Sequence, residues 1–204
     1  VAFSALLITQ QLTIFVNLLM RGAVAVQQVD TANIWVMDRS GRTIDATLPM
    51  PSTALDRVRS VEGVAWAVPM LRSAAIVRTV DGDLEPVNVV GVDDATLIGL
   101  PRNMVVGDKA DLAAPDAVFI DDVGSRKLFP EGEIVGTRLE LNDRRAMIAG
   151  IVDADPTFTS TVILYTRYSN ALNFIPGSRN RLSFVVARAV DGEDPKLVAE
   201  RIAA

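Results

Sequence analysis

Carboxylates are the side chains in this sequence whose type and spacing could support chemistry. They form close groups at the ends of predicted strands and helices: Asp81/Asp83, Asp93/Asp94, Asp121/Asp122, Asp153/Asp155 and Asp191/Glu193/Asp194. A calcium loop needs oxygen ligands at alternating positions and a bidentate glutamate, and none of these groups has that spacing. Aspartates at such ends commonly bind backbone amides. We therefore predict turns and helix caps here, and no metal site.

The residue types that are missing exclude most catalytic arrangements. The sequence has 0 cysteines and 0 histidines, so it can form neither a Ser-His-Asp triad, nor a Cys-His pair, nor a common zinc site. It contains no glycine-rich phosphate loop of either common type. We therefore predict a non-catalytic protein without a cofactor, whose associated ATPase, if any, is another chain.

The charge distribution argues against nucleic acid as a partner. The net charge is −5 and no block of Lys or Arg occurs, whereas phosphate binding needs a clustered basic face. Arg144 and Arg145 follow a predicted turn at Asn142-Asp143 and are interpreted as an exposed hairpin position rather than an anion site. Trp35 and Trp66 lie in apolar strands, which favours a place in the core.

The elements that must position these residues indicate an α+β fold. A strand at 34–37 and a helix opened by Pro51-Ser52 form one strand–helix unit. A strand at 182–189 and a helix opened by Asp194-Pro195 form a second unit. Between them the chain is β-rich, with a hairpin at Asp81-Gly82 and Pro69 expected to divide the apolar run 64–80 into two strands. We expect the strands at 34–37 and 182–189 to share one sheet.

The first 29 residues have a different composition. Residues 1–20 carry no charge, and Arg21 is the only charged residue before Asp30. Twenty helical residues span about 30 Å, the thickness of the hydrocarbon core of a bilayer. This pattern predicts the end of a transmembrane helix and a stalk over residues 1–29, starting inside the span. The alternative is a buried helix of a soluble protein.

Six segments, in order along nearly the whole chain, resemble the DevC-type branch of the MacB/FtsX family of ABC-transporter permeases. They are NIWVMD (33–38), LPMPSTALDRVRSVEGVAWAVPM (48–70), VGVDDATLIGLP (90–101), PDAVFIDDVG (115–124), LELNDRRAMIAGIVDA (139–154) and YTRYSNALNFIPG (165–177). The resemblance implies a two-lobed periplasmic domain, in which a β-rich lobe is inserted into a porter-like α+β lobe. The expected division is 30–89 and 176–204 for the porter-like lobe, with 90–175 inserted.

The same resemblance implies a place and partners. The protein is expected in the bacterial inner membrane with this domain in the periplasm, acting with a cytoplasmic ATP-binding subunit and a periplasmic membrane-fusion adaptor. The expected function is to couple ATP hydrolysis to export. The chain lacks the family's other membrane helices, so transport activity is not expected of it alone.

One face of the predicted membrane helix is polar. Gln10, Asn17, Arg21 and Gln28 fall within about 40° of one another on a helical projection, and the opposite face is apolar. Polar residues inside a membrane usually face protein. We therefore predict that these four residues form a helix-packing face toward neighbouring membrane helices or a second permease copy. The alternative is a chance scatter of polar residues near the outer interface.

The sequence also allows two other functions, a regulator and a hydrolase. An FtsX-like regulator would activate a cell-wall hydrolase instead of exporting a substrate, and a gene neighbour of either kind would decide between the two. A membrane-anchored hydrolase that uses Asp or Ser would need paired carboxylates with perturbed pKa values in a pocket. No spacing of residues in the sequence indicates such a site.

Overall fold

A computed structural model describes residues 11, 29, 31–41, 48–79, 82–130, 133–154 and 161–204. These residues form a mixed α+β structure, as predicted. The strands are β1 (Ile34–Val36), β2 (Met50–Pro51), β3 (Val64–Arg78), β4 (Leu84–Val92), β5 (Asn103–Val106), β6 (Ala117–Asp121), β7 (Arg138–Leu141), β8 (Arg144–Asp153), β9 (Val162–Arg167), β10 (Arg181–Leu182) and β11 (Phe184–Ala189). The helices are α1 (Thr53–Arg59), α2 (Asp122–Leu128), α3 (Tyr168–Phe174) and α4 (Pro195–Ala203), with a short 3-10 helix at Lys109–Ala113.

The two strand–helix units form one α+β layer. Strand β11 pairs antiparallel with β1 on one side and with residues 64–70 of β3 on the other, which confirms that the first and last strands share a sheet. Helices α1 and α4 cover this part of the sheet, and Asp194 caps α4 by accepting the Lys196 N–H at 2.9 Å. The resulting α+β core consists of Ile34, Met50, Val58, Ala67, Leu182, Val185, Ala187, Ala189 and Val198.

Six strands close into a barrel beyond this layer. Residues 71–78 of β3 pair with β4, β4 pairs with β9, β9 with β6, β6 with β8 and β8 with β7. Strand β7 then returns to β3, where Val77 lies opposite Leu141 and Arg78 opposite Glu140. Each barrel strand therefore has a partner on both sides, although the pairings mix parallel and antiparallel directions.

Alternation along the strands fills the barrel with side chains. Every second residue points inward, and the barrel core includes Leu71, Ala75, Val77, Val87, Val89, Val118, Ile120, Leu139, Leu141, Ala146, Ile148, Val162 and Leu164. Helix α2 follows β6 and helix α3 follows β9. Because β6 and β9 are antiparallel, the two helices lie at opposite ends of the barrel, and each contributes buried side chains to its core.

A second apolar cluster covers the outside of the sheet. This outer core runs from the α+β layer to the barrel and includes Val29, Val68, Met70, Val90, Leu100, Leu112, Phe119, Ile163, Tyr165, Phe184 and Val186. Trp35 and Trp66 pack against it, and Trp35 makes an edge-on contact with Phe184 at 5.5 Å between ring centroids. Both tryptophans are half-buried and lie against the core rather than inside it, so the prediction of a core position holds only in part.

Two features of the sheet bear on the predicted strands and lobes. Pro69 does not divide the run 64–80, because β3 is one strand of 15 residues; the proline lies where β3 is paired only with β11, so no bond to a second strand is lost there. The sheet also runs without a break from β1 to β5. The division into lobes at residues 30–89, 90–175 and 176–204 stays a prediction.

Candidate functional site

Strand β3 joins the α+β layer to the barrel by changing its partner in mid-strand. Residues up to Met70 pair with β11, and residues from Leu71 onward pair with β4 on the opposite edge. No turn separates the two halves, so β3 connects the layer and the barrel directly. The middle of β3, where the strand partner changes, is called the junction below.

Ser183 fastens the chain at this changeover. Its hydroxyl accepts the Arg72 N–H at 2.9 Å and donates to the Arg72 carbonyl at 2.9 Å. Its own N–H donates to the Met70 carbonyl at 2.9 Å. The side chain thus bonds both backbone groups of Arg72, which is also paired with Val90 of β4, and Ser183 itself is 3% exposed. Loss of the hydroxyl would leave two backbone groups without these bonds, which is costly in a buried place.

Helix α3 packs closely against the same junction. A Cβ added at Gly91 would lie 2.5 Å from the Ala171 Cβ and 3.3 Å from the Tyr168 Cα, so only glycine lets the helix approach β4 this closely. Asp94 holds the start of the helix by accepting the Ser169 N–H at 3.0 Å. The helix is therefore fixed to β4 by shape and by a cap.

Tyr168 links helix α3 to the chain that returns from the barrel. Its hydroxyl donates to the Arg181 carbonyl at 2.8 Å. Burial, with a smaller contribution from the negative charge of Asp94, raises the pKa of Tyr168 above its ordinary value of 10.0. The phenol therefore stays neutral, and able to donate, throughout the physiological pH range.

A cavity of about 310 Å³ opens beside the junction. Its walls come from the elements that meet there, namely the segment before β2, the middle of β3, the loop after α3, strand β10 and the residue between β10 and β11. The lining residues are Pro49, Leu71, Arg72, Ser73, Ile175, Pro176, Gly177, Ser178, Arg181 and Ser183. Leu71 and Ala75 face the barrel core, and Ser73 shares their side of β3 by alternation. Ser73 is therefore the polar residue in the row of β3 side chains that point into the barrel, and it lies at the mouth of the barrel.

The acidic groups lie where turns and caps were predicted. Asp93 accepts the Thr96 N–H and hydroxyl at 2.9 and 2.7 Å. Asp121 caps α2, and Asp194 caps α4. Within the described ranges, no group of three or more acidic residues is arranged to hold a metal ion. Asp81 and Asp155 lie outside those ranges.

The predicted turn at Asn142-Asp143 connects β7 and β8, and both residues have positive φ, 48° and 60°. Arg144 and Arg145 are exposed after it, as predicted, and Arg145 forms an ion pair with Asp116 at 3.1 Å.

The predicted helix-packing face is not tested by these contacts. Gln10, Asn17, Arg21 and Gln28 lie outside the described residues, as does most of the predicted helix over 1–29. Of the helices in the described part of the chain, none is both long and apolar enough to cross a membrane. Ser183 and Gly91, in contrast, position the junction and were not singled out by the sequence, because a lone serine in a strand has no distinctive signal.

Comparison with known proteins gives a consistent picture. Residues 11–204 match the family described as the MacB-like periplasmic core domain. The chain is similar to the extracellular domain of the noncanonic ABC-type transporter YknZ from Gram-positive bacteria, with 13% identity over 76% of this chain and 81% of that chain and a TM-score of 0.60. It is also similar to the periplasmic region of MacB from Actinobacillus actinomycetemcomitans, with 14% identity over 87% of this chain and 85% of that chain and a TM-score of 0.61. No curated protein sequence matches. At these identities the solved structures show a shared fold.

Proposed function

Because this chain belongs to the family of MacB-like periplasmic core domains, we propose that it couples cytoplasmic ATP hydrolysis to export through a periplasmic adaptor. It is a periplasmic domain of an ABC-transporter permease, a class of membrane protein that works with an ATP-binding subunit. The proposal adds the direction of transport, the adaptor, an inner-membrane location and a homodimeric permease. The helix-packing face of residues 10, 17, 21 and 28 would lie against neighbouring membrane helices or the second permease copy.

The continuity of strand β3 is the observation that supports the coupling role. One strand belongs both to the layer next to the N-terminal segment and to the barrel, and its changeover is fastened by Ser183. If a membrane helix moved the α+β layer, the barrel would move with it, because no flexible linker separates the two along β3. The barrel, in turn, would pass it to the adaptor.

Ser183→Ala tests this role in the full permease, reconstituted in vesicles with its ATP-binding subunit and adaptor. The variant removes the two hydroxyl bonds to Arg72 and keeps the backbone bond to Met70, so we expect the adaptor-stimulated part of ATP hydrolysis to fall while the basal rate stays unchanged. Ser73→Ala is the matched control, because the Ser73 hydroxyl only donates to the neighbouring Ala74 carbonyl, at 3.3 Å. Equal stimulation in Ser183→Ala and the wild type would refute coupling through this joint.

We also propose that the domain is not an enzyme. The absence of cysteine, histidine and phosphate-loop motifs from the sequence supports this. Titration calorimetry of the purified chain with ATP should show no saturable binding. Binding in the micromolar range, or release of phosphate by the chain alone, would contradict the proposal.

A further inference from the structure

The change of partner along β3 leaves a gap beside the strand. Strand β11 pairs with one edge of β3 up to Met70, and β7 pairs with the same edge from Val77 onward. The cavity of about 310 Å³ lies at this gap, since one of its walls is formed by Leu71, Arg72 and Ser73. The loop after α3 and strand β10 contribute other walls. The cavity is therefore a consequence of how the layer and the barrel share one strand.

Hydrogen bonds within the protein hold the walls of the cavity in place. On the β3 side, the Ser183 hydroxyl makes two bonds to the strand. In the loop after α3, the buried Ser178 hydroxyl donates to the Ile175 carbonyl at 2.7 Å. The Arg181 N–H donates to the Ser178 carbonyl at 3.0 Å, and its carbonyl accepts the Tyr168 hydroxyl at 2.8 Å. A cavity formed in advance in this way loses little conformational entropy when a ligand binds.

The charged residues that line the cavity are both basic. They are Arg72 and Arg181, and none of the lining residues is acidic. Arg181 is exposed, and its guanidinium makes neither an ion pair nor a hydrogen bond with any residue in the part of the chain that the structure describes. A guanidinium binds a carboxylate or a phosphate through two parallel hydrogen bonds. The charge of the lining therefore selects an anion, and Arg181 is placed to hold it.

The rest of the lining is partly apolar and sets the size and orientation of a ligand. Leu71 and Ile175 are buried, whereas Pro49, Pro176 and Arg181 are exposed. An aliphatic group would therefore lie deep in the cavity and an anionic group at its rim. The cavity of about 310 Å³ has the volume that about ten water molecules occupy in the liquid, which suits a ligand of about ten non-hydrogen atoms.

We propose that this cavity binds a small amphiphilic anion, with a carboxylate or phosphate head and a single aliphatic chain of about eight carbons. The head would pair with Arg181 at the rim, where Arg72 adds positive charge, and the chain would pack on Leu71 and Ile175. A lipid with two acyl chains is too large for the cavity. The inference does not depend on the proposed export function, because it follows from the size and the lining of the cavity.

Equilibrium dialysis of radiolabelled octanoate against the full chain in lipid nanodiscs tests the ligand class. Uptake into the lipid rises in proportion to concentration, whereas binding to the cavity saturates. We expect saturable binding that octyl phosphate displaces, with octanol and inorganic phosphate at least about tenfold weaker as competitors, because each lacks one half of the ligand. If octanol competes as well as octyl phosphate, the charge is not recognised. If inorganic phosphate does, the site holds an adventitious ion only. Either result, stronger competition by dihexanoyl phosphatidate, or no saturable binding would overturn the inference.

Arg181→Ala locates the site, because it removes the guanidinium and keeps the backbone bonds of this residue. We expect octanoate binding to weaken about tenfold. Arg181→Lys keeps the charge but not the paired hydrogen bonds, so it should lose clearly less. The matched control is Arg179→Ala, which removes an exposed arginine that does not line the cavity. Thermal unfolding shows that each variant is folded. If Arg181→Ala and Arg181→Lys both bind octanoate as tightly as Arg179→Ala, the anion is held elsewhere and the inference fails.

Discussion

Asp121 shows how much one buried carboxylate can organise. It is 6% exposed, and it accepts the Gly124 N–H at 2.9 Å as the cap of α2 and the Ile163 N–H of β9 at 2.7 Å. One side chain thus fixes the helix at one end of the barrel to a neighbouring strand. The space around it is tight, since a Cβ at Gly124 would lie 2.4 Å from its Oδ1.

Asp121→Ala should lower the free energy of unfolding by about 2 to 4 kcal/mol, because it removes a helix cap and a second bond to a charged acceptor. Urea unfolding followed by circular dichroism measures this change. Asp121→Asn is the control: it keeps the shape and one acceptor oxygen and should lose clearly less. An alanine variant as stable as the wild type would show that the two bonds contribute nothing net.

Tyr168 predicts a pH dependence at the alkaline end. Its pKa is raised in the folded state by burial and by Asp94, so the folded protein favours the protonated phenol. This contribution to stability is complete below the unfolded pKa of about 10 and is lost as the pH rises through the higher folded value. Stability should therefore fall above about pH 10.

The variant Tyr168→Phe should lose less stability between about pH 9 and 11 than the wild type does, although it is less stable at neutral pH because the bond to the Arg181 carbonyl is missing. Chemical unfolding at a series of pH values gives both quantities. Parallel curves for the two proteins would mean that Tyr168 does not titrate differently in the folded and unfolded states.

At the scale of elements, the closing of the barrel depends on a short contact. Strand β7 has 4 residues, and it pairs with β3 at Val77/Leu141 and Arg78/Glu140. Asn142, directly after β7, exchanges two further hydrogen bonds with the Ile76 backbone, both at 3.0 Å. Its pairing with β8 is longer and starts from a tight turn. Strand β7 is therefore the seam of the barrel, held to β8 by a hairpin and to β3 by two residue pairs and the bonds of Asn142.

A disulfide across this seam tests whether the barrel is closed in solution. In Arg78→Cys/Glu140→Cys the two Cα atoms face each other directly, at a separation that suits a disulfide, and the chain has no other cysteine. We expect rapid oxidation and a gain of about 4 kcal/mol from closing the long loop. Arg78→Cys/Arg145→Cys is the control, because β7 lies between these positions and keeps them about 10 Å apart. Equal oxidation of both pairs would contradict the closed barrel.

At the scale of the whole molecule, the soluble part should be independent of the first residues. Val29 is 4% exposed and belongs to the outer core, so the boundary to test lies after residue 28 rather than after residue 29. Removing residues 1–28 should give a folded domain whose size in solution does not depend on detergent. Sedimentation and thermal unfolding measure both properties. If the shortened domain unfolds, the N-terminal segment is part of the soluble core and the membrane prediction fails.

The sequence was sufficient for the local structure and for the family. Short apolar runs, proline after aspartate and adjacent turn residues are short-range signals, and they predicted β1, β11, α4 and the turn between β7 and β8 with small errors at the ends. The capping role of Asp93, Asp121 and Asp194 followed from the same local chemistry. Membership in the family came from segments that span nearly the whole chain, and it is supported by the match over residues 11–204.

Only the tertiary structure decided how these elements are assembled. The pairing of β7 with β3 joins residues more than 60 positions apart, and the bond between Ser183 and Arg72 spans 111 positions. No local pattern specifies such partners, because any exposed strand edge offers the same N–H and C=O groups. Pro69 illustrates the point: its missing N–H predicts a break, and only the neighbours of β3 decide that no bond is lost.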